Sequence, residues 1–270
     1  MAPPLTVAIG GLGAIGLPVA RALDAGLHGL ELGAVSARDR DKAARKMADF
    51  AKPVPVLGLA ELAGRADIVV ECAPAAVFAE IAEAAIEAGR TLVTLSCGAR
   101  LERMDLVKRA RATGARIVIP SGALLGLDAV RAAAEGTIHS VRMVTRKPPG
   151  SLAGAPYLTE RNIDLAGLAE PRKIFEGTAR EGARGFPANV NVAAALSLAG
   201  VGPDQTRLEI WADPAQTRNT HRIVVEADSA RFELSIESVP SEENPRTGKL
   251  TPLSVIATLR GFTAPLKVGT

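Results

Sequence analysis

Three glycines stand at a spacing that suits the binding of a diphosphate. Gly11, Gly13 and Gly16 form the pattern G-x-G-x-x-G directly after an apolar run that reads as a β-strand. In this pattern the first glycine permits a tight turn, the second lets the backbone approach a pyrophosphate, and the third lets a helix pack closely on a sheet. The N–H groups of Ala14 and Ile15 would open that helix and face the phosphates. The spacing and its strand–helix context therefore predict a dinucleotide site rather than a plain glycine-rich turn.

The end of the second predicted strand bears on which nicotinamide cofactor binds. Many NAD-binding proteins place an acidic residue there, which binds the ribose hydroxyls. This chain has Ser36 and Ala37 at that position, followed by Arg38. Without the carboxylate a 2′-phosphate meets no repulsion, and Arg38 could pair with it, unless its side chain simply points into solvent. We therefore expect NAD or NADP as the cofactor, with NADP accepted.

Proton transfer near neutral pH most often uses histidine, and the chain contains only three. His28 falls in a loop between the first predicted helix and the second strand, usually far from a nicotinamide. His139 falls in a strand, where a packed or exposed side chain explains it. His221 follows Arg218 and Asn219 at the start of a strand in the second half of the chain. His221 is therefore our candidate catalytic acid/base.

Small residues follow the ends of successive predicted strands. Cys72 and Ala73 follow one strand, and Ala123 lies after a later one. Taken singly, each fits a tight turn. In an open α/β sheet, however, ligands bind beyond the carboxyl ends of the strands. The repetition of small residues at these ends favours a cleft with room for a nicotinamide ring, and we assign these residues to the cofactor.

A further polar group precedes the last predicted helix and consists of Arg246, Thr247 and Lys249. Two cations, a hydroxyl group and a helix N-terminus suit a carboxylate ligand. The same residues equally fit an ordinary loop in which a threonine caps the helix. Both interpretations remain open, and we take the three residues as candidates for substrate binding.

Strand and helix patterns alternate through the first half of the chain, from Leu5 to Ile119. This alternation, with strands that are almost continuously apolar, predicts a doubly wound parallel sheet, as in a Rossmann domain, covered on both faces. The second half has a half-exposed strand at 137–147, a helix candidate at 189–199 and three strands between residues 207 and 239. These elements predict an α+β domain built on a mostly antiparallel sheet.

The change of pattern places a domain boundary near residue 120. We expect a dinucleotide-binding Rossmann domain at 1–120 and a substrate and dimerisation domain at 121–270. The last predicted helix, at about 250–262, could pack back on the first domain. A chain of 270 residues is long enough for two such domains without disulfide or metal support.

Composition excludes several other classes of protein. The 32 basic and 29 acidic residues are scattered, and aromatic residues make up only 3%, which argues against a nucleic-acid stacking platform. No run of about twenty apolar residues suggests a membrane span, and the N-terminus lacks the pattern of a signal peptide. The two cysteines, Cys72 and Cys97, form no CxxC pair, so no metal site is expected. We expect a soluble protein of the reducing cytoplasm.

Taken together, these residues resemble the L-aspartate dehydrogenase family. The resemblance runs in family order over essentially the whole chain. Its less specific part is the glycine pattern with Glu71-Cys72-Ala73. Its more specific part lies in the second half, in the segments Lys147-Pro148-Pro149, Pro187-Ala188-Asn189-Val190-Asn191, Ala212-Asp213-Pro214, Asn219-Thr220-His221 and Glu243-Asn244-Pro245-Arg246-Thr247.

This resemblance implies oxidation of L-aspartate to iminosuccinate, or to oxaloacetate and ammonia after hydrolysis, with NAD or NADP accepting the hydride. It implies that His221 is the acid/base and that Ala123 and Asn189 contact the cofactor. It also implies a homodimer and a role in pyridine nucleotide biosynthesis. Ala37 departs from the family members that have an acid there, which leaves strict preference for NAD in doubt.

Two other functions fit parts of the same pattern. A different two-domain NAD(P)-dependent reductase of small acids would share the fold. We do not find the paired histidines and lysine of a dihydrodipicolinate reductase. We also do not find the lysine–histidine signature of a sugar dehydrogenase. A non-catalytic protein that senses NAD(P) would also share the fold, because one fold supports many functions. His221, in a chain with so few histidines, argues against this second alternative.

Overall fold

The computed structural model describes residues 3–244 and 247–269, which form two compact units. The N-terminal unit extends to Gly122 and includes Thr251–Lys267 from the end of the chain. The C-terminal unit contains Ala123–Leu250 and begins again at Val268. In the described part of the chain, no helix is long and apolar enough to cross a membrane.

The N-terminal unit alternates strands and helices along the chain. Its strands are β1 (Leu5–Gly10), β2 (Leu30–Ser36), β3 (Val56–Leu57), β4 (Ile68–Glu71), β5 (Thr91–Thr94) and β6 (Arg116–Val118). Its first five α-helices are α1 (Gly16–Asp24), α2 (Arg40–Lys46), α3 (Phe78–Glu87), α4 (Cys97–Leu101) and α5 (Asp105–Thr113). Short 3-10 helices occupy Ala60–Arg65 and Ala75–Val77.

The six strands of this unit form one parallel sheet in the order β3-β2-β1-β4-β5-β6. Its central strands are apolar on both faces, and Val7, Ala8 and Ile9 of β1 are all fully buried because helices cover both sides. From β1 the chain adds β2 and β3 on one side, and then β4, β5 and β6 on the other. Ligands of doubly wound sheets bind at this switch point, between β1 and β4. The predicted Rossmann fold is thus confirmed, with the short β3 as an addition.

The C-terminal unit contains the remaining five strands and four helices. The strands are β7 (Ile138–Lys147), β8 (Arg172–Thr178), β9 (Arg207–Ala212), β10 (Asn219–Ala227) and β11 (Arg231–Ser238). The helices are α6 (Leu127–Ala133), α7 (Pro156–Glu160), α8 (Ala179–Gly185) and α9 (Asn191–Ala199), with a 3-10 turn at Pro149–Ser151.

These five strands form a mixed sheet in the order β11-β10-β7-β9-β8. Three of the neighbouring pairs are antiparallel, and β7 runs parallel to β9. The predicted α+β domain on a mostly antiparallel sheet is thus confirmed. Strand β7 lies between β9 and β10 and pairs with both.

The two faces of this sheet differ in polarity. On β7, Val141, Met143, Thr145 and Lys147 are buried, whereas the residues between them are half-buried or exposed. This period of two is expected of a strand with one covered face. Helix α9, which is apolar and mostly buried, packs within this unit against α6 and α8. Lys147 is therefore a lysine on the covered face of β7, which it shares with Val141, Met143 and Thr145.

The last helix, α10 (Leu250–Gly261), contributes Val255 and Leu259 to the hydrophobic core of the N-terminal unit. Its Ser254 hydroxyl accepts a hydrogen bond from the N–H of Gly122 at 3.1 Å. Just after the helix, the Thr263 hydroxyl donates to the carbonyl of His28 at 2.7 Å. The end of the chain is thereby held by polar contacts at both ends of α10 as well as by its apolar face.

Candidate active site

The glycine turn between β1 and α1 has the geometry that its sequence requires. Gly11 has a φ of +100°, and a Cβ there would lie 2.8 Å from the carbonyl oxygen of Cys72, so only glycine fits. A Cβ on Gly16 would overlap the backbone of Gly11. Gly13 is exposed, and a Cβ there would meet nothing within 4 Å. The open side of the turn is at Gly13, where a ligand can approach the backbone.

Helix α1 begins at this turn without a side chain that caps its first N–H groups. Its N-cap residue, Ile15, offers no side-chain hydrogen bond to the helix, unlike Asp39, which caps α2. Uncapped N–H groups and the positive end of the helix dipole attract anions. The half-buried Ala14 and Ile15 lie at this end. These features fit the pyrophosphate of a dinucleotide.

The end of β2 carries a free cation and no free acid. Ala37 is half-buried, and Arg38 is exposed with no ion-pair partner among the described residues. The nearest acid in the sequence, Asp39, is engaged, because its carboxylate accepts from the N–H of Lys42 at 2.8 Å. From α2, the Lys46 ammonium donates to the carbonyl of Leu12 in the glycine turn at 3.1 Å. This region is therefore suited to additional negative charge.

The Glu71 carboxylate is fully buried at the end of β4 and is well supplied with donors. It accepts from the hydroxyls of Thr94 at 2.7 Å and Ser96 at 2.9 Å. The backbone N–H groups of Ser96 and Leu95 donate to it at 3.1 and 3.3 Å. Burial raises the pKa of Glu71, while these hydrogen bonds act in the opposite direction. The network fixes the ends of β4 and β5, and the backbone of Cys72 then packs against Gly11.

Neither cysteine near this edge is a reactive thiol. Burial, with a smaller contribution from the Glu71 charge, raises the pKa of Cys97 to about 12. The same two causes raise the pKa of Cys72 well above its usual value. Both thiols stay protonated near neutral pH, and thiols are poor nucleophiles and ligands in that form. Cys72 and the half-buried Ala73 thus offer shape and backbone to a neighbouring ligand.

In the C-terminal unit, His221 is buried in β10, where it lies opposite Thr145 of β7. Its Nδ1 is 3.1 Å from the Thr145 hydroxyl oxygen. Burial, and the positive charge of Lys147, lower the pKa of His221 to about 3. The imidazole is therefore neutral at physiological pH. Because Thr145 engages Nδ1, Nε2 is the ring nitrogen left for proton transfer.

Lys147 lies two residues beyond Thr145 on the same face of β7, and only 5% of it is exposed. Its ammonium donates to the Oδ1 of Asn189 at 3.3 Å. Burial alone lowers its pKa to about 8, so it is mostly charged at neutral pH. Asn189 is half-buried in the turn just before α9, and its N–H donates to the carbonyl of Phe186 at 2.8 Å. The structure therefore brings Asn189 and His221 to the same cluster, around Lys147.

The other predicted residues lie elsewhere. Thr247 accepts from the Asn244 amide at 3.2 Å, and the exposed Lys249 pairs with Glu242 at 2.9 Å, so both have local partners. Arg246 lies outside the described residues. Ala123 is half-buried at the start of the C-terminal unit. The assignment of these residues to ligands stays a prediction.

The two remaining histidines take no part in the cluster. His28 is exposed in the turn before β2, and His139 is exposed on β7. The described residues also contain no group of histidine, cysteine and acidic side chains that could hold a metal ion. Among the histidines, burial and polar neighbours therefore single out His221.

Sequence reasoning gave Thr145 and Lys147 no role of their own. Lys147 was noted only as the start of a Lys-Pro-Pro segment. The available signal was the alternation along β7, which puts Val141, Met143, Thr145 and Lys147 on one face. A lysine at a buried position of a strand is rare unless it pairs with an acidic group or has a function.

The C-terminal unit also has an open groove of about 640 Å³, lined by residues between Pro149 and Ala166. None of Lys147, Asn189 and His221 lines it. Its lining is mostly small and apolar, and Asp164 is its only charged residue. Asp164 already accepts a hydrogen bond from the N–H of Ala166 at 2.8 Å, and no histidine lines the groove, so we place the chemistry at the His221 cluster.

Two known families match consecutive parts of the chain. Residues 11–120 match the family described as "Homoserine dehydrogenase, NAD binding domain". Residues 128–262 match the family described as "Aspartate dehydrogenase, C-terminal". The first match contains the glycine turn and Glu71, and the second contains Lys147, Asn189 and His221.

Individual relatives extend this likeness over both units. The chain is 58% identical to the L-aspartate dehydrogenase of Bradyrhizobium diazoefficiens, over 98% of this chain and 94% of that one. It is 54% identical to L-aspartate dehydrogenase 3 of Bordetella bronchiseptica, over 98% of both chains. Among solved structures, the aspartate dehydrogenase of Thermotoga maritima is similar with a TM-score of 0.74 and 26% identity, covering 98% of this chain and 99% of that one.

Proposed function

Because this chain belongs to the L-aspartate dehydrogenase family, we propose that it oxidises L-aspartate to iminosuccinate with NAD or NADP, and that His221 is its acid/base. Iminosuccinate then hydrolyses to oxaloacetate and ammonia, and the reverse sequence is a reductive amination. The observation that carries the assignment of His221 is its burial beside Lys147 with Nδ1 held by Thr145. A neutral imidazole that is held in one orientation has a ring nitrogen that can accept a proton.

His221 acts on the water that adds to the imine carbon. Its neutral Nε2 accepts a proton from this water, which makes the oxygen a better nucleophile. Thr145 holds the ring by Nδ1, so that Nε2 keeps one orientation. In the reverse direction, the protonated ring returns the proton to the departing hydroxyl group. The side chain therefore moves one proton each way and forms no covalent bond.

The dinucleotide site of this proposal lies mainly in the N-terminal unit. The residues assigned to the cofactor are Gly11, Gly13, Ala14, Ile15, Gly16, Arg38, Cys72, Ala73, Ala123 and Asn189. When bound, the nicotinamide supplies the hydride acceptor. The chain's own groups bind and orient it, through the open backbone at Gly13, the uncapped start of α1 and the cation Arg38. Because Ala37 and the engaged Asp39 leave no free acid there, we expect NADP to be accepted.

The remaining assignments concern the two domains, the oligomeric state and the location of the protein. The N-terminal domain, at about 1–120, would bind the dinucleotide, and the domain at about 121–270 would bind the substrate and mediate a homodimer. Arg246, Thr247 and Lys249 are candidates for binding the substrate. The reduced cysteines Cys72 and Cys97 agree with a cytoplasmic enzyme. Light scattering of the purified protein tests the homodimer, and fractionation of cells tests the location.

The experiment that tests the proposed function follows the absorbance of the nicotinamide band. Purified protein is mixed with L-aspartate and each oxidised cofactor, and in reverse with oxaloacetate, ammonia and each reduced cofactor. We expect turnover with L-aspartate and none with malate or glutamate. His221→Ala should lower kcat by about 10²–10⁴-fold while the affinity for NADPH stays the same. Full turnover by His221→Ala would contradict the proposed role of this residue. No turnover by the wild-type protein would contradict the proposed reaction.

A further inference from the structure

Lys147 has fewer polar partners than its burial requires. An ammonium group has three N–H donors, and the Lys147 ammonium makes one hydrogen bond, to the neutral amide oxygen of Asn189. Among the described residues it forms no ion pair with a carboxylate. A buried charge normally requires both a counter-ion and hydrogen bonds, because removal from water is costly. The C-terminal unit therefore holds a buried cation without its anion.

Three other cations of the same sheet do have carboxylate partners. On the opposite face, Arg142 pairs with Glu209, Arg146 pairs with Asp213 at 3.3 Å, and Arg222 pairs with Glu233. The three arginine side chains are partly exposed, so water can solvate their charges and they need an ionic partner less than a buried cation does. Lys147 is the most deeply buried of the four cations and has no carboxylate.

The position of Lys147 indicates what its anion is. It shares a sheet face with His221, and its charge is felt by that imidazole. The proposed substrate carries two carboxylates, one of them bonded to the carbon that reacts beside His221. A carboxylate at Lys147 would give the ammonium its counter-ion and fill its unused donors. No other group in the described cluster can do so.

We propose that Lys147 is a substrate-binding residue whose ammonium binds a carboxylate of the dicarboxylate substrate, with Asn189 orienting that ammonium. This rests on the proposed function and adds a residue that the reaction does not by itself assign. Binding of the carboxylate also offsets the positive charge that disfavours protonation of His221. The substrate thereby makes its own base more basic when it binds.

The first part of the test compares Lys147→Met, Lys147→Arg and a matched control, Lys173→Met. Lys173 is an exposed lysine of the same unit that pairs with Glu176, so its removal changes the net charge equally. We expect Lys147→Met to raise the KM for L-aspartate about 100-fold, in line with loss of a desolvated charge pair. Lys147→Arg should keep part of this affinity, and Lys173→Met should match the wild type. The Kd for NADPH, followed by its fluorescence, should change less than about twofold in all three.

A second measurement does not depend on turnover. Succinate, a dicarboxylate that cannot be oxidised at an amine, is titrated calorimetrically into the NADPH-loaded wild type and Lys147→Met. Succinate binding should weaken about 100-fold in the variant. If the wild type fails to oxidise L-aspartate but this loss occurs, the proposed reaction fails and the carboxylate site stands. Unchanged succinate affinity and unchanged KM in Lys147→Met overturn the site, whether or not L-aspartate is the substrate.

Two inhibitors identify which carboxylate is bound. L-alanine keeps the carboxylate bonded to the reacting carbon, and β-alanine keeps the other one. If Lys147→Met weakens inhibition by L-alanine alone, the ammonium binds the carboxylate at the reacting carbon, and if by β-alanine alone, it binds the distal one. Equal inhibition of the wild type and the variant by both compounds overturns the proposal.

Discussion

Glu71 and Lys147 are both buried charges at the ends of β-strands, one in each unit, but their surroundings differ. Glu71 accepts four hydrogen bonds from Thr94, Leu95 and Ser96, which satisfy its two oxygens. Lys147 makes one, to a neutral amide. A satisfied buried charge stabilises the elements that supply its donors, whereas an unsatisfied one lowers stability until a ligand pairs with it. Glu71 therefore stabilises the strand ends beside the dinucleotide site, whereas Lys147 is itself part of the proposed substrate site.

The largest expected effect concerns Glu71. Glu71→Ala removes the acceptor of two hydroxyl and two backbone donors, and we expect unfolding to become easier by about 3–4 kcal/mol. Glu71→Gln should cost only about 1 kcal/mol, because its amide oxygen can accept at one position and the Ser96 hydroxyl can turn to accept at the other. Urea denaturation measures both. Equal losses in the two variants would show that the hydrogen bonds of Glu71 contribute little.

A change of stability in the opposite direction is expected when Lys147 is replaced. Lys147→Met replaces an unpaired buried cation by an apolar side chain of similar length, and stability should rise by about 1–3 kcal/mol at pH 7. Since burial lowers the pKa of Lys147 from 10.5 to about 8, the unfolded chain binds this proton more tightly. Wild-type stability should therefore gain from Lys147 as the pH rises from 8 to 10.5, and this gain should vanish in the variant. A loss of stability in Lys147→Met would mean that Lys147 is structural, as Glu71 is.

A smaller effect sharpens the comparison within the C-terminal unit. Thr145→Val keeps the shape of the side chain but removes the hydroxyl that holds His221, and we expect kcat to fall about tenfold, or about 1.4 kcal/mol. The matched control is Thr220→Val, because Thr220 adjoins His221 in sequence but faces the opposite side of the sheet. Steady-state kinetics should show a change of less than about twofold in this control. Equal effects of both substitutions would argue against a role of the Thr145 hydroxyl.

The smallest expected effect lies at the end of β2 in the N-terminal unit. Arg38 is exposed, so a salt bridge to a 2′-phosphate should contribute only about 1 kcal/mol. Arg38→Ala should weaken NADP binding about fivefold and leave NAD binding unchanged, as measured by titration of each cofactor. Equal losses for both cofactors would place Arg38 at another part of the dinucleotide.

The fold of the N-terminal unit could be predicted closely because its signals are local. The apolar runs Leu5–Gly10 and Leu30–Ser36 are strands with these same bounds, and the glycine pattern lies between β1 and α1 as expected. Glycine spacing and continuous apolar strands are properties of short segments, which one sequence displays directly. The ends of elements are less well defined: the sequence pattern predicts a helix over 41–50, but α2 ends at Lys46.

The C-terminal unit was harder because its signals depend on distant pairing. The sequence pattern did not predict strand β8 or helices α6, α7 and α8. Strand β8 is an edge strand with an irregular register at Lys173 and Phe175. His221 was found by its residue type and its resemblance to a family. Its neighbours Lys147 and Asn189 come together only through the register of β10 with β7 and the turn before α9. No local pattern of one sequence gives that register.

The claim that Lys147 is left unpaired for the substrate is tested most directly by the pH dependence of kcat/KM for L-aspartate. The titratable group that faces Lys147 from β10 is His221, and the turn before α9 presents the amide of Asn189. The Asp213 carboxylate, which follows β9, is bonded to Arg146.

Because burial lowers the pKa of Lys147 to about 8, kcat/KM should fall about tenfold per pH unit above that value as the ammonium loses its proton. In Lys147→Arg this fall should move to much higher pH, since a guanidinium stays charged. The titration of free L-aspartate is common to both proteins and cancels in the comparison. An identical alkaline limb in the wild type and in Lys147→Arg would contradict the account.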